Sequence, residues 1–261
     1  MAKAAWQKFP HASKSYTYAG AALKKNWGRL HRGDGEPFPA DEAVQEAWRL
    51  YHAGDFQKAH EAGLAVGLDG YNVANKAAMI YANYLESDDK KKLEIFQGIS
   101  ARCDELQKAQ PKNVNAYYIQ AYALGRYSQG ISVVKALTQG LGGKIKTALE
   151  TALKLDAKHA DAHSALGAYH AEVIDKVGSM VGKVTYGASK DAAVKHFDTC
   201  LQLAPDSAIG SIEYANALVM LYGKSKMNDA VKLYEKAAAC DPVDAMERLD
   251  VELAKSELED E

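Results

Sequence analysis

The stretch KHADAHSALGAYHAEV, residues 158–173, gathers His159, His163 and His170 with Asp161 and Glu172. Residues four apart share a helix face, so His159 and His163 have the spacing of a zinc-ligating pair. A complete site needs a third or fourth ligand within bonding distance. Glu172 falls roughly 200° round the helix from His170, and no cysteine is close in sequence. Turn and packing roles fit these histidines better, and no metal or cofactor is expected. His196 and Cys200, again four apart, take the same reading.

Two Gly-Lys pairs suggest a phosphate loop, in which glycines free backbone N–H groups to wrap a phosphate and a hydroxyl binds magnesium. Ahead of Gly143-Lys144 the first glycine position is Thr138, and Ile145 follows the lysine. Around Gly182-Lys183 the spacing from Gly178 is short and Val184 follows. Neither stretch has the required pattern. The chain also lacks a Gly-x-Ser-x-Gly elbow and any acid pair that stands apart from solvated helix faces. No catalytic residue is assigned. Cys103, Cys200 and Cys240 are far apart and contain no C-x-x-C pair, so neither a disulfide framework nor a zinc knuckle is suggested.

These residues sit on a repeat. Three segments, ALETALKLDAKH (148–159), AVKHFDTCLQLAPDS (193–207) and AVKLYEKAAACDPVD (230–244), end alike: a bulky residue, a small one three later, then a turn. Aligned on Ala157, Pro205 and Pro242, the pairs are Leu149/Ala152, Phe197/Cys200 and Tyr234/Ala237. A small residue lets a neighbouring helix approach while the bulky one fills the groove beside it. The preceding helices agree, with Tyr117–Ala121–Leu124, His163–Leu166–Gly167–His170 and Tyr214–Ala217–Leu218–Leu221 on matching inward stripes. In this register His163 and His170 replace large packing residues.

The pattern resembles the tetratricopeptide repeat. LYHAGDFQKAHEAGL (50–64) adds that family's Gly54-Asp55-aromatic turn and Ala59, and WGRLHRGD (27–34) echoes WRLYHAGD (48–55). A closer resemblance covers roughly residues 45–257. YSQGISVVKALTQGLGGKIKTALETALKLDAKHADAHSALGAYHAEV and YGASKDAAVKHFDTCLQLAPDSA resemble the regulator-of-microtubule-dynamics family and the T component of tripartite ATP-independent periplasmic transporters. That resemblance implies an all-α, tetratricopeptide-like α-α superhelix, a right-handed solenoid of antiparallel helix pairs, with non-enzymatic binding or adaptor roles.

Helices are expected near 16–32, 41–53, 56–68, 72–86, 89–109, 113–128, 144–155, 160–175, 189–203, 207–222, 227–240 and 243–259. The corresponding division is 1–40 as basic helix and Pro-rich connector, 41–242 as repeat stack and 243–261 as acidic capping helix. Repeat ends lie 46, 48 and 37 residues apart, and the first two spacings exceed a repeat of about 34. The excess falls at 130–143 and 174–188, which are apolar. Two readings stand for these inserts: an enlarged core, or a pocket lined by Ile131, Val134, Leu137, Val177 and Met180 for a hydrophobic ligand or partner peptide.

First helices line the concave side of such stacks. Met79, Asn83, Tyr118, Tyr122, Arg126, Asp161 and Ser164 are expected there as partner contacts, because exposed Tyr and Arg are effective interface anchors. The leading functional reading is a protein- or peptide-binding scaffold or adaptor. Alternatives are a binding component for a small apolar ligand held in the inserts, and a helical-repeat enzyme using His163 or His170.

Charge adds a polarity hidden by the net −2: residues 1–32 hold seven Lys/Arg and no acid, whereas 244–261 hold eight acids and two bases. Seven charges over a whole helix describe a solvated face, so no nucleic-acid partner is expected. No apolar run approaches the roughly 18–20 residues that span a bilayer, and no integral membrane segment is expected. Cytoplasmic location fits, with periplasmic or organellar location as the alternative if an upstream signal was removed. A homo-oligomer is compatible with the sequence.

Overall fold

The computed structural model describes residues 5–259; the first four residues of the basic segment and the last two of the acidic one lie outside the described residues. Among the described residues every regular element is helical. The α-helices are α1 (Ala22–Leu30), α2 (Glu42–His52), α3 (Phe56–Val66), α4 (Tyr71–Tyr84), α5 (Asp89–Ala109), α6 (Val114–Gln129) and α7 (Val133–Thr138). They continue with α8 (Leu141–Leu155), α9 (Ala160–Val181), α10 (Lys190–Leu203), α11 (Ala208–Tyr222), α12 (Met227–Ala238) and α13 (Ala245–Glu259).

The turns before three of the first helices follow one rule. Asn113, His159 and Ser207 stand just ahead of α6, α9 and α11, and their side chains accept from the amides of Ala116, Ala162 and Gly210. Each bond satisfies one of the N–H groups left over at a helix start and contributes about 1 kcal/mol. His159 thus replaces the Asn or Ser of its neighbours. Its Nδ1 accepts at 3.0 Å, and the ring is buried.

Close crossings need small residues. A Cβ on Gly63 of α3 would lie 2.6 Å from the Gly70 carbonyl oxygen, and one on Gly167 of α9 would lie 2.8 Å from the Phe197 ring. The small partners Ala152, Cys200 and Ala237 are fully buried, as are Leu149 and Phe197.

The chain forms two compact units. One comprises the residues up to His31, Glu36–Gly130 and Val243–Met246; the other comprises Arg32–Gly35, Ile131–Pro242 and the chain from Glu247 on. In the first, α4 packs among α2, α3, α5 and α6. In the second, α9 packs against α8, α10 and α11, and α12 packs against α11. Val251 and Ala254 of α13 join Ala208, Ile212 and Ala237 in a small core. The two helices expected to pair across the first insert, α6 and α8, fall in different units.

The helix expected over 16–32 starts only at Ala22, after a short 3-10 turn at Lys14–Tyr16. Tyr18 and Gly20 take positive φ, 43° and 57°, and Arg49 of α2 donates to both carbonyls. Those conformations end a right-handed helix.

The inserts differ from both readings. The first forms the short α7; the second extends α9 through a kink at Gly178 (φ 81°) and then a π-helix, Gly182–Tyr186. Val134, Leu137 and Met180 project into solvent, while Ile131 and Val177 are half-buried. The second insert reaches the start of α8 through Tyr186, whose ring lies against Gly142 and whose carbonyl accepts from Lys146 at 3.0 Å. Backbone and ring make those contacts and leave the aliphatic side chains outside.

Candidate functional site

The face of α4 and α6 where the structure brings polar side chains together begins with Asn72 and Asn115, each the second residue of its helix. Both are buried, and both amides donate to one carboxylate, that of Glu36. The distances are 2.9 Å from Asn72 and 2.6 Å from Asn115. Asn113 accepts from the same Asn72 amide at 3.1 Å, tying the α6 cap into the network. Glu36 belongs to a segment without regular structure, and its carbonyl accepts from the Trp27 indole at 2.6 Å. Glu36 is half-buried, and a carboxylate leaves water at least cost where donors replace it. Here two side-chain amides do so.

A second polar pair lies in the same unit. His52 Nδ1 is 2.8 Å from Asp244 Oδ2, both buried, and Tyr18 donates to the Val243 carbonyl at 2.6 Å. The echo between residues 27–34 and 48–55 reappears as contact: Trp27 meets Trp48 and His31 meets His52, edge to face.

The expected contact residues divide by burial. Met79 is buried because α4 has helices on four sides and buries every residue from Asn72 to Ala82. Tyr118 is buried one turn beyond Asn115, on the face bonded to Glu36, and Ser164 is buried against the Cys200 thiol. These three correct the expectation of exposure. Asn83, Tyr122 and Arg126 remain half-exposed, with the Arg126 guanidinium 5.1 Å from the Tyr122 ring centre. In the other unit Asp161 is half-buried; its amide donates to the Gly33 carbonyl at 2.9 Å.

Glu36 and Arg102 were missed by sequence reasoning. Arg102 Nε donates to the buried Asn75 at 2.6 Å, and burial holds the guanidinium pKa below its ordinary value. It lines a cleft of about 650 Å³ with Trp6, Tyr81, Lys91, Glu86 and Glu94 among others. Trp6 stacks on Tyr81 at 4.1 Å. An i, i+27 link such as Asn75–Arg102 leaves no periodic trace.

The histidines of the opening stretch gather around α9 and α10. His163 Nε2 donates to the Ala157 carbonyl at 3.1 Å, which leaves its Nδ1 to accept from His196 Nδ1 at 2.8 Å. His170 stacks beside His196. Burial pushes the pKa values of His170 and His196 down to about 4, aided by Lys146 for the former and by His163, His170 and Lys195 for the latter. Among the described residues no group of three or more His, Cys, Asp or Glu has the geometry to hold a metal ion. Nor is any described helix long and apolar enough to cross a membrane.

Capped helix pairs crossing at small residues define an all-α, tetratricopeptide-like protein. The solved thermophilic tetratricopeptide protein TTC0263 of Thermus thermophilus shares this fold, with a TM-score of 0.58 at 14% identity over 82% of this chain and 98% of that one. A monomeric IFIT1 mutant with Gppp-AAAA and the human IFIT1 dimer with PPP-AAAA match at TM-scores of 0.44 and 0.42 and 16% and 15% identity. Each match covers 92% of this chain and 60% of the IFIT1 chain. The search of curated proteins gave no match. The family model of regulator of microtubule dynamics protein 1-3 matches residues 43–260, and the chain belongs to that family.

Proposed function

We propose that the chain is a protein- or peptide-binding scaffold that does no chemistry itself and reads extended acidic segments with the first-helix face of α4 and α6. The observation that carries this reading is the seating of Glu36. An irregular piece of the chain's own backbone is held there as a ligand would be, its carboxylate between two buried amides and its carbonyl on an indole. Asn83, Tyr122 and Arg126 extend the contact surface on the same two helices; Asp161, in the other unit, is a separate proposed contact on α9. Met79, Tyr118 and Ser164 support those helices from within. The family is described by a regulatory role and not by a reaction, which favours binding over catalysis.

The test is affinity capture from native lysate, read by quantitative mass spectrometry, for the wild type and Tyr122→Ala/Arg126→Glu after circular dichroism has matched their folds. Partners lost only in the variant support the reading. An identical captured set counts against it.

The cleft at Arg102 favours a second reading, a binding component for a small ligand whose anionic group would meet Arg102 and Lys91, with Glu86, Asp88 and Glu94 also in the wall. No hydrogen bond to the guanidinium Nη atoms is found among the described residues, and Nη1 lies over Gly98 in the cleft wall. Glutarate that raises the melting temperature of the wild type but not of Arg102→Gln would support it; equal shifts would count against it.

A further inference from the structure

The two inserts leave large aliphatic side chains in water. Val134, Met180 and Val184 are 71%, 81% and 82% exposed, and Val133, Leu137 and Val181 accompany them. Scattered exposed hydrophobes need no explanation, but clusters mark interaction surfaces. These are grouped: α7 packs on α8, and the π-helix rests on the beginning of α8 through Tyr186, Gly142 and Lys146. Both apolar tips therefore spring from one end of the same helix.

Charge indicates what covers them. The inserts 130–143 and 174–188 contain Lys135, Lys176 and Lys183 against one acid, Asp175, with Lys144, Lys146 and Lys190 just beyond their ends, in a chain whose net charge is −2. Lys146 and Lys190 are engaged with backbone carbonyls, and Lys176 lies 3.3 Å from Asp175. Lys135, Lys144 and Lys183 are exposed and make no ion pair among the described residues. Each apolar tip is thus flanked by a free ammonium group.

We propose that this edge is a peripheral docking surface for an anionic lipid bilayer. Protruding tips of Val, Leu and Met with interleaved Lys suit shallow insertion at a headgroup boundary, where the apolar ends leave water and the ammonium groups stay beside phosphate. A protein partner or second copy would have to supply a hollow matched to each tip. A bilayer deforms to fit them. Neither part suffices alone, since each lysine near an anionic surface contributes only modestly and the buried apolar area is small. Binding is therefore predicted to need negative lipid and to weaken with salt. The edge shares no residue with the face of α4 and α6, so this proposal stands apart from the scaffold reading.

The experiment is co-sedimentation of the full chain with phosphatidylcholine vesicles and with phosphatidylcholine vesicles carrying about one third phosphatidylglycerol. The wild type should pellet with the anionic vesicles only. Val134→Asp/Met180→Asp and Lys135→Glu/Lys183→Glu should each weaken partition by roughly tenfold or more. All four sites are exposed, so folding is retained and is verified by circular dichroism. As an independent readout, Met180→Trp emission should shift to the blue with anionic vesicles and not with neutral ones. No pelleting, or pelleting unchanged in both double variants, would overturn the proposal. So would a wild type that elutes as a dimer and a Val134→Asp/Met180→Asp variant that elutes as a monomer, because the edge would then belong to a second copy.

Discussion

The Glu36 carboxylate accepts a 2.6 Å hydrogen bond from the Asn115 side-chain amide, 79 residues further along the chain. With Asn72 on the neighbouring first helix, the bond fixes an otherwise irregular segment onto α4 and α6. The contact should support stability as well as recognition. Glu36→Ala removes the carboxylate that both buried amides donate to, and is expected to cost about 1–3 kcal/mol, measured by urea unfolding. Glu36→Gln keeps one acceptor oxygen and should cost less. Equal midpoints for wild type and Glu36→Ala would show that water replaces the carboxylate without penalty.

The histidine pair sets a pH dependence. His170 and His196 have native pKa values lowered from 6.5 to about 4, mainly by burial. The unfolded chain therefore binds protons first as pH falls, and stability is fully present above pH 6.5 and declines from there down to about 4. His170→Phe/His196→Phe should flatten the urea midpoint across that window. A wild-type midpoint constant from about pH 7 to about 4.5 would contradict the burial argument.

Helix approach makes opposite predictions for two glycines. Gly63→Ala forces a Cβ to 2.6 Å from the Gly70 carbonyl oxygen, a backbone atom that cannot rotate away. It should destabilise by about 1–3 kcal/mol. Gly28 in α1 has no atom within 4 Å of its would-be Cβ, so Gly28→Ala should stabilise by about 0.5–1 kcal/mol through reduced freedom of the unfolded chain. Thermal melts of the two variants should move in opposite directions.

Thiol labelling tests burial directly. Cys103 and Cys200 are fully buried, and their pKa values are pushed up to about 12, whereas Cys240 is half-exposed. A disulfide reagent at mild alkaline pH should modify Cys240 quickly and the other two only on unfolding. In Cys240→Ser the fast phase should vanish.

Much of this was legible where the signal is local and repeated. The small-and-large pairs at Leu149/Ala152 and Phe197/Cys200 and the turns ahead of α6, α9 and α11 follow from periodicity. His159 looked like a metal ligand only in isolation; aligned with Asn113 and Ser207 it occupies a cap position. The surface was less legible. Helical register places Met79 and Tyr118 away from their own packing rows, but what covers a row is decided by distant segments, and α4 is enclosed by four helices. Glu36 sits among prolines and glycines with no period, so its destination between Asn72 and Asn115 leaves no trace in spacing. The inserts misled through composition: apolar residues suggested burial, yet their backbone turns outward at Gly178 and α7.

The central claim is that the face of α4 and α6 binds extended acidic segments and that Glu36 occupies it in the free chain. The most direct measurement is a heteronuclear NMR titration of wild type and Glu36→Ala with the synthetic peptide EPFPAD, following the side-chain amide signals of Asn72 and Asn115. The account predicts that both signals shift on titration of Glu36→Ala and need a higher peptide concentration to shift in the wild type, where Glu36 competes for the site. Signals that stay fixed in both proteins, or shifts that map away from α4 and α6, would contradict it.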